Sequence, residues 1–176
     1  MARWGLVVTS DRVKENPDQD ETTPMLRRLL EEHGHELVYA AIAGNDPVEI
    51  LYHVAAALHR GAEVVLVTGG TGPNPHDISA DLVSRICDRI LPGVGEEFRR
   101  RSLEQGVANA VLSRALACSF RDRLLAVSPG NPGAARLMAE LLLGVVDHAL
   151  HQLRGHRHEH HKHHGHGAGG HGEHRQ

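Results

Sequence analysis

The sequence predicts an α/β fold built on a mostly parallel sheet, and three observations carry that prediction. The opening half alternates strand, helix, strand, helix, strand, the order that right-handed crossovers wind into a parallel sheet. The run Val64-Val-Leu-Val is apolar and mostly β-branched, as a strand buried on both faces must be. It stops at Thr68-Gly69-Gly70-Thr71-Gly72, a glycine-dense turn at the carboxyl edge of the sheet, where such folds bind ligands.

The elements follow in order. Arg3–Thr9 reads as the first strand, its apolar run too short for a secretory signal. Ser10–Glu21 is polar and reads as a loop. Thr22-Thr23-Pro24 offers an N-cap hydroxyl and a proline at the first helical position. Met25, Leu26, Leu29 and Leu30 give that helix an apolar stripe, and Gly34 ends it. Glu36–Ile42 is the second strand. A helix from Asp46 to Arg60 opens on Asp46-Pro47-Val48-Glu49, which has the form of a capping box, and buries Ile50, Leu51, Val54, Ala55 and Leu58. After the Val64 strand, Ser79–Leu91 reads as a helix capped by Ser79 and halted at Pro92-Gly93, with a short helix at Glu96–Gln105. Leu116–Ser119 and Leu124–Val127 flank Arg121-Asp122-Arg123 and pair as a β-hairpin. Ser128–Gly133 is a second turn cluster, and one long helix from Ala134 to about Leu153 closes a folded domain spanning 1–154.

Composition narrows the function classes. The chain has 176 residues, enough for one domain and a tail, and 40% of them are hydrophobic. No apolar stretch reaches the length of a membrane span. A formal charge of −3 with one Trp, two Tyr and two Phe argues against a general nucleic-acid binder. Cys87 and Cys118 form no metal-ligand pattern and read as two buried or half-buried thiols of a cytoplasmic protein.

The chemistry concentrates on the sheet's carboxyl edge. Amides and hydroxyls of Thr68, Gly69, Gly70, Thr71 and Gly72 can form a nest for an anion such as phosphate. A tight turn alone would use the same glycines; the threonines and the later Asp77 favour a ligand loop. Asp77 can equally form a local turn, but Ser79 already supplies a cap for the helix that follows. Asp46 can be an N-cap and nothing more. Converging on one rim, Asp46 and Asp77 could hold Mg²⁺, which takes one or two carboxylates plus phosphate oxygens. Ser10, Asp11 and Arg12 follow a strand onto the same rim, though an Asp-Arg pair is as readily a surface ion pair. His76 could contact phosphate or water.

Together these segments resemble the MogA/MoaB family of molybdenum-cofactor biosynthesis. The resemblance covers roughly residues 3–150. Thr68-Gly-Gly-Thr-Gly-Pro-Asn-Pro-His-Asp77, followed by Ile78-Ser79-Ala80-Asp81, carries it most specifically. Leu91-Pro92-Gly93-Val94-Gly95-Glu96-Glu97-Phe98-Arg99, Leu112-Ser113-Arg114 and Ser128-Pro129-Gly130-Asn131-Pro132 match further family segments in order, with Val94 in place of the usual Phe. Relatives have Asp-x-Ser-Gly in the first loop, whereas this chain has Asp20-Glu21-Thr22-Thr23, so Thr23 stands for a glycine. The resemblance implies a three-layer αβα sandwich, commonly a homotrimer, and Mg²⁺- and ATP-dependent adenylylation of molybdopterin, with pyrophosphate released. It implies Asp46 and Asp77 at the reaction centre, the Gly69–Gly72 amides and Thr71 on phosphate or pterin groups, and Ser113, Ser128, Pro129 and Gly130 along the pterin side. A molybdenum-insertion protein is the partner it implies. A non-catalytic molybdopterin-binding role is the alternative within the family, and a trimeric scaffold without pterin or nucleotide affinity is a third reading.

From residue 155 the composition changes. Gly155–Gln176 holds nine of the 16 histidines and one aliphatic residue, Ala168, so it reads as a disordered tail. His158, His160, His161, His163 and His164 could bind Ni²⁺ or Zn²⁺ adaptably, as a metal buffer. A solvated low-complexity tail with incidental metal affinity is the competing reading.

Overall fold

The computed structural model describes residues 1–155 and is an α/β sandwich of three layers. The opening half comprises β1 (Arg3–Thr9), α1 (Asp11–Glu15), a 3₁₀ turn at Pro17–Gln19, α2 (Thr22–Glu32), β2 (Glu36–Ala43), α3 (Pro47–His59) and β3 (Val64–Thr68). Then come α4 (Ser79–Ile86), β4 (Arg89–Ile90), α5 (Pro92–Glu104), a 3₁₀ segment at Ala108–Leu112, β5 (Leu116–Phe120), β6 (Arg123–Ser128), α6 (Pro132–Leu143) and α7 (Val146–Leu153). The strands lie in the order β2-β1-β3-β6-β5-β4. β1 is parallel to β2 and β3, and β3 to β6, while β5 runs antiparallel to both of its neighbours.

Period-two alternation distributes the core. Trp4, Leu6, Val8, Leu66 and Leu124 face one layer, where Leu26 and Leu30 of α2, Phe98 of α5, Met138 of α6 and Leu150 of α7 cover them. Val7, Val65, Val67 and Leu125 face the other, under Ile50 and Val54 of α3 and Val83 of α4. Each such side chain contributes about 1.5–3 kcal/mol on burial. Among the described residues no helix is long and apolar enough to cross a membrane.

Five local expectations are corrected. The presumed loop Ser10–Glu21 contains α1, capped by Ser10 Oγ accepting from Val13 N at 3.2 Å, and the 3₁₀ turn. α2 is capped by Asp20 and not by a threonine hydroxyl: one carboxylate oxygen accepts from the amides of Thr22 and Thr23, each at 3.0 Å, and the other from Thr23 Oγ1 at 2.5 Å. Thr23 therefore sits in ordinary helical backbone, and nothing there requires a glycine. α4 ends at Ile86, because Cys87 is bonded to Cys118 in a disulfide and Arg89–Ile90 pairs with β5. Ser79 does not cap it, its hydroxyl being turned inward, 3.3 Å from Thr9 Oγ1. The final helix breaks at Gly144, where the ladder tightens to Val145 N donating to Leu142 O at 3.0 Å.

The thiol reading of Cys87 and Cys118 is thus overturned: neither cysteine is free. The pairing joins a helix end to a strand 31 residues away, a juxtaposition that no local pattern encodes.

Candidate active site

The carboxyl ends of β1, β3 and β6 lie side by side, with Val8 opposite Thr68 and Thr68 opposite Ser128. The three loops that leave them are stitched together. Thr9 Oγ1 donates to Thr68 O at 2.6 Å, and Gly69 N donates to Ser128 O at 2.8 Å. Gly69 and Gly70 take φ of +95° and +73°, and only glycine fits either place. A Cβ on Gly69 would overlap the Thr9 carbonyl, and one on Gly70 would lie 2.8 Å from Ser79 N. The turn is therefore both left-handed and wedged.

Beyond it opens a cavity of about 640 Å³, a size suited to a small molecule. Gly70, Thr71, Gly72, Pro73 and Asp77 line it from the turn after β3, and Pro129, Gly130, Asn131 and Gly133 from the turn after β6. Phe98, Ala110, Ala134 and Leu137 supply an apolar floor, with Ser102, Gln105, Asn109 and Ser113 set around it. α6 starts at the turn after β6, Asn131 Oδ1 accepting from Ala134 N at 2.8 Å, so its positive dipole end faces the site. Among the described residues, Asp77 is the one acidic side chain in the lining, and none of them contributes a lysine or arginine to it.

Arg114 holds the Asp77 wall from behind. Its Nη2 donates to Gly72 O at 2.8 Å and to Asp77 O at 2.7 Å, and its Nη1 to Asp81 at 2.6 Å. The Arg114 hydrogen bond holds the Asp81 carboxyl below its usual range. Arg99 in turn donates to the carbonyls of Ser113 and Ala115, at 3.2 and 2.9 Å.

The residues singled out in the sequence fall in different places. Gly70, Thr71, Gly72, Asp77, Ser113, Pro129 and Gly130 are brought together around the large cavity. Thr68, Gly69 and Ser128 lie beneath it. Ser128 Oγ donates to Pro129 O at 3.2 Å, and Thr68 Oγ1 is buried without a hydrogen-bond partner among the described residues. Ser10 lines a second cavity of about 130 Å³, with Thr9, Arg12, Asp20 and Thr22, and Gly130 walls both cavities.

Asp46 stands apart. It is exposed, caps α3 by accepting from Glu49 N at 2.9 Å, and lines neither cavity. The capping box is half formed, because Glu49 takes Gly44 N and Lys14 instead of returning to Asp46. His76 is exposed, its amide donating to Asn74 Oδ1. Among the described residues no group of three or more His, Cys, Asp or Glu side chains is poised to hold a metal. His158, His160, His161, His163 and His164 lie outside the described residues.

Phe98, Ser102, Gln105, Asn109 and Leu137 were not anticipated as lining residues. Phe98, Ser102 and Gln105 recur at helical spacing, the one sequence signal that could have placed them on a common face.

The family described as "Probable molybdopterin binding domain" matches residues 5–148. Molybdenum cofactor biosynthesis protein B of Bacillus cereus is 34% identical over 154 residues, covering 86% of this chain and 90% of the relative. Molybdopterin adenylyltransferase of Pyrococcus furiosus is 32% identical over 156 residues, covering 86% and 91%. The crystal structure of the tungsten cofactor synthesizing protein MoaB from Pyrococcus furiosus superposes with a TM-score of 0.81 at 30% identity, covering 88% of this chain and 98% of that one.

Proposed function

The chain belongs to the molybdopterin-binding MogA/MoaB family of molybdenum-cofactor biosynthesis, and on that premise we propose that it adenylylates molybdopterin at the Gly70–Asp77 cavity. In this reaction an oxygen of the pterin's terminal phosphate forms a bond to the α-phosphorus of ATP. The bond from that phosphorus to the bridging oxygen breaks, and pyrophosphate leaves. Such transfer needs in-line positioning and offset charge more than an elaborate base.

One observation carries the reading: a large cavity lined by neutral donors and acceptors over an apolar floor, with a single carboxylate on its wall. Phe98 and Leu137 suit a flat heterocycle. Ser102, Gln105, Asn109 and Ser113 suit its hydrogen-bonding edges. The Gly70–Gly72 backbone and the start of α6 suit a phosphate. With no lysine or arginine in the lining among the described residues, two highly charged substrates need charge offset from another source. Asp77 with phosphate oxygens is a donor set that Mg²⁺ accepts, and Mg²⁺ bound there would offset the charge on the transferred group. In this reading Asp46 serves the ATP end of the site from the carboxyl end of β2.

Incubation with molybdopterin and Mg-ATP should give adenylylated pterin and pyrophosphate. Asp77→Asn should lower transfer about 10³-fold while leaving molybdopterin affinity within about threefold, since the donors to the pterin remain. Full activity of that variant would overturn the assignment.

The position of Asp46 outside both cavities favours a second reading, molybdopterin binding without transfer. Product that depends on Mg-ATP separates the two. The reading places the protein in the cytoplasm, where ATP is at hand, and the Cys87–Cys118 disulfide is the feature that pulls against that placement. Assembly as a homotrimer is part of the proposal and is checked by light scattering. Metal buffering by the tail is checked by calorimetry with Ni²⁺ and Zn²⁺ on the full chain and on residues 1–154.

A further inference from the structure

We infer that Arg114 is the positioning residue of this site, closing the Gly72–Asp77 loop like a clasp and thereby setting where the Asp77 carboxylate stands. The inference rests on the adenylyl-transfer reading for its kinetic consequence, but not for its geometry.

Pro73, Asn74, Pro75 and His76 are all exposed. The hydrogen bonds within this stretch are short-range: Asp77 N to Asn74 O at 2.8 Å, and His76 N to Asn74 Oδ1 at 2.9 Å. Such a loop has no packing of its own to fix its far end. Arg114 supplies the closure. A single nitrogen, Nη2, donates to the carbonyls at both ends of the loop, Gly72 and Asp77. Nε adds a second donation to Gly72 O at 3.2 Å, and Nη1 reaches past the loop to Asp81, in the first turn of α4. The carboxylate it positions lies against the loop's other end: a Cβ on Gly72 would be 2.6 Å from Asp77 Oδ2.

The clasp is delivered from a fixed support. Arg114 N donates to Thr71 O at 2.8 Å, so the residue is joined to the glycine turn by backbone as well as side chain. Ser113 Oγ stands 3.5 Å from Thr71 Oγ1, and Arg99 ties down the carbonyls on either side of Arg114. The chemistry demands arginine. Three acceptors in different directions are met by one planar fork, which a lysine ammonium on a flexible stem does not reproduce. The side chains of Arg114 and Asp81 are 40% and 47% exposed, so the ion pair itself adds little to stability. The geometry therefore matters for where groups stand more than for whether the chain folds.

Arg114→Lys, Arg114→Ala and Asp81→Asn should be compared with the wild-type full chain by steady-state kinetics, thermal unfolding and amide exchange at His76 and Asp77, the loop amides that donate hydrogen bonds. Arg114→Lys is expected to lower kcat about 100-fold, the scale of an ångström's misplacement at a reacting centre. KM for molybdopterin should change less than about threefold and Tm should not move, while exchange of the His76 and Asp77 amides speeds up. Guanidinium added to Arg114→Ala should restore part of kcat. Asp81→Asn, which leaves both carbonyl bonds intact, should lose less than Arg114→Lys. Wild-type kcat and unchanged exchange in Arg114→Lys would overturn the inference, as would a loss of kcat that tracks a fall in Tm. If wild type itself forms no adenylylated pterin, the transfer reading fails, and exchange at the loop still decides whether Arg114 closes it.

Discussion

The two edges of the sheet treat charge in opposite ways. At the amino edge, Glu63 is nearly buried, at 7% exposure, and fully engaged. It accepts from Arg3 N at 2.9 Å and forms ion pairs with the side chains of Arg3 and Arg154. Burial pushes its carboxyl up, but the Arg3 amide and the two guanidinium groups outweigh burial and hold it below the usual 4.5. At the carboxyl edge, Asp77 lines a cavity to which no lysine or arginine among the described residues contributes, and Thr68 Oγ1 below it lacks a partner among the same residues. Charge cancelled inside the protein stabilises the fold; charge left uncancelled is available to a ligand.

Substitutions at each edge test that contrast, taken from the largest expected effect downward. Asp77→Asn should lower kcat for adenylyl transfer about 10³-fold, equivalent to about 4 kcal/mol in the barrier, with the unfolding free energy unchanged in a urea titration followed by circular dichroism. A comparable loss of stability would show that Asp77 belongs to the fold. Gly70→Ala should destabilise by about 3 kcal/mol, from strain at positive φ and the clash with Ser79. A variant of wild-type stability would mean that the turn can relax.

Glu63→Gln is the mirror image of Asp77→Asn. It should cost about 2 kcal/mol of stability, since both arginine partners are about half exposed, and leave kcat alone. Acid makes the same test without mutation. Because the folded-state pKa of Glu63 lies below 4.5, its stabilisation is complete above that value and is lost as pH falls through the folded pKa. The gap in stability between wild type and Glu63→Gln should therefore close below pH 4.5 and stay constant from there to neutrality. Asp46→Asn should change stability by no more than about 0.3 kcal/mol, because asparagine caps a helix as well as aspartate. A fall in kcat at unchanged stability would bring Asp46 into the reaction despite its place outside the cavities.

Legibility in the sequence followed the range of the interactions. β3 and its glycine turn were readable because a buried strand and a left-handed turn each impose residue types on contiguous positions. The hairpin and the alternating first half were readable for the same reason. What escaped depends on partners distant in sequence. Ser79 turns its hydroxyl toward Thr9, 70 residues away, and leaves α4 uncapped. The cysteine pair, the two-residue strand β4 and the early end of α4 are one event on β5. In the site, Gly70–Gly72 and Asp77 were legible as a local motif. Ser102, Gln105 and Asn109 were not, since they reach the cavity only through the packing of α5 and of the 3₁₀ segment that follows it.

Trp4 gives the contrast between the edges a spectroscopic use. It is the chain's one tryptophan, wholly buried at the start of β1, in a T-shaped pair with His35. Five residues of extended strand, about 17 Å, separate it from Thr9 at the cavity edge. Intrinsic emission excited at the indole band will therefore follow unfolding with little background and barely register occupancy of the site. A fluorescence reporter of binding has to be added on the far side, for instance at exposed Val107 or Leu112 on the cavity rim.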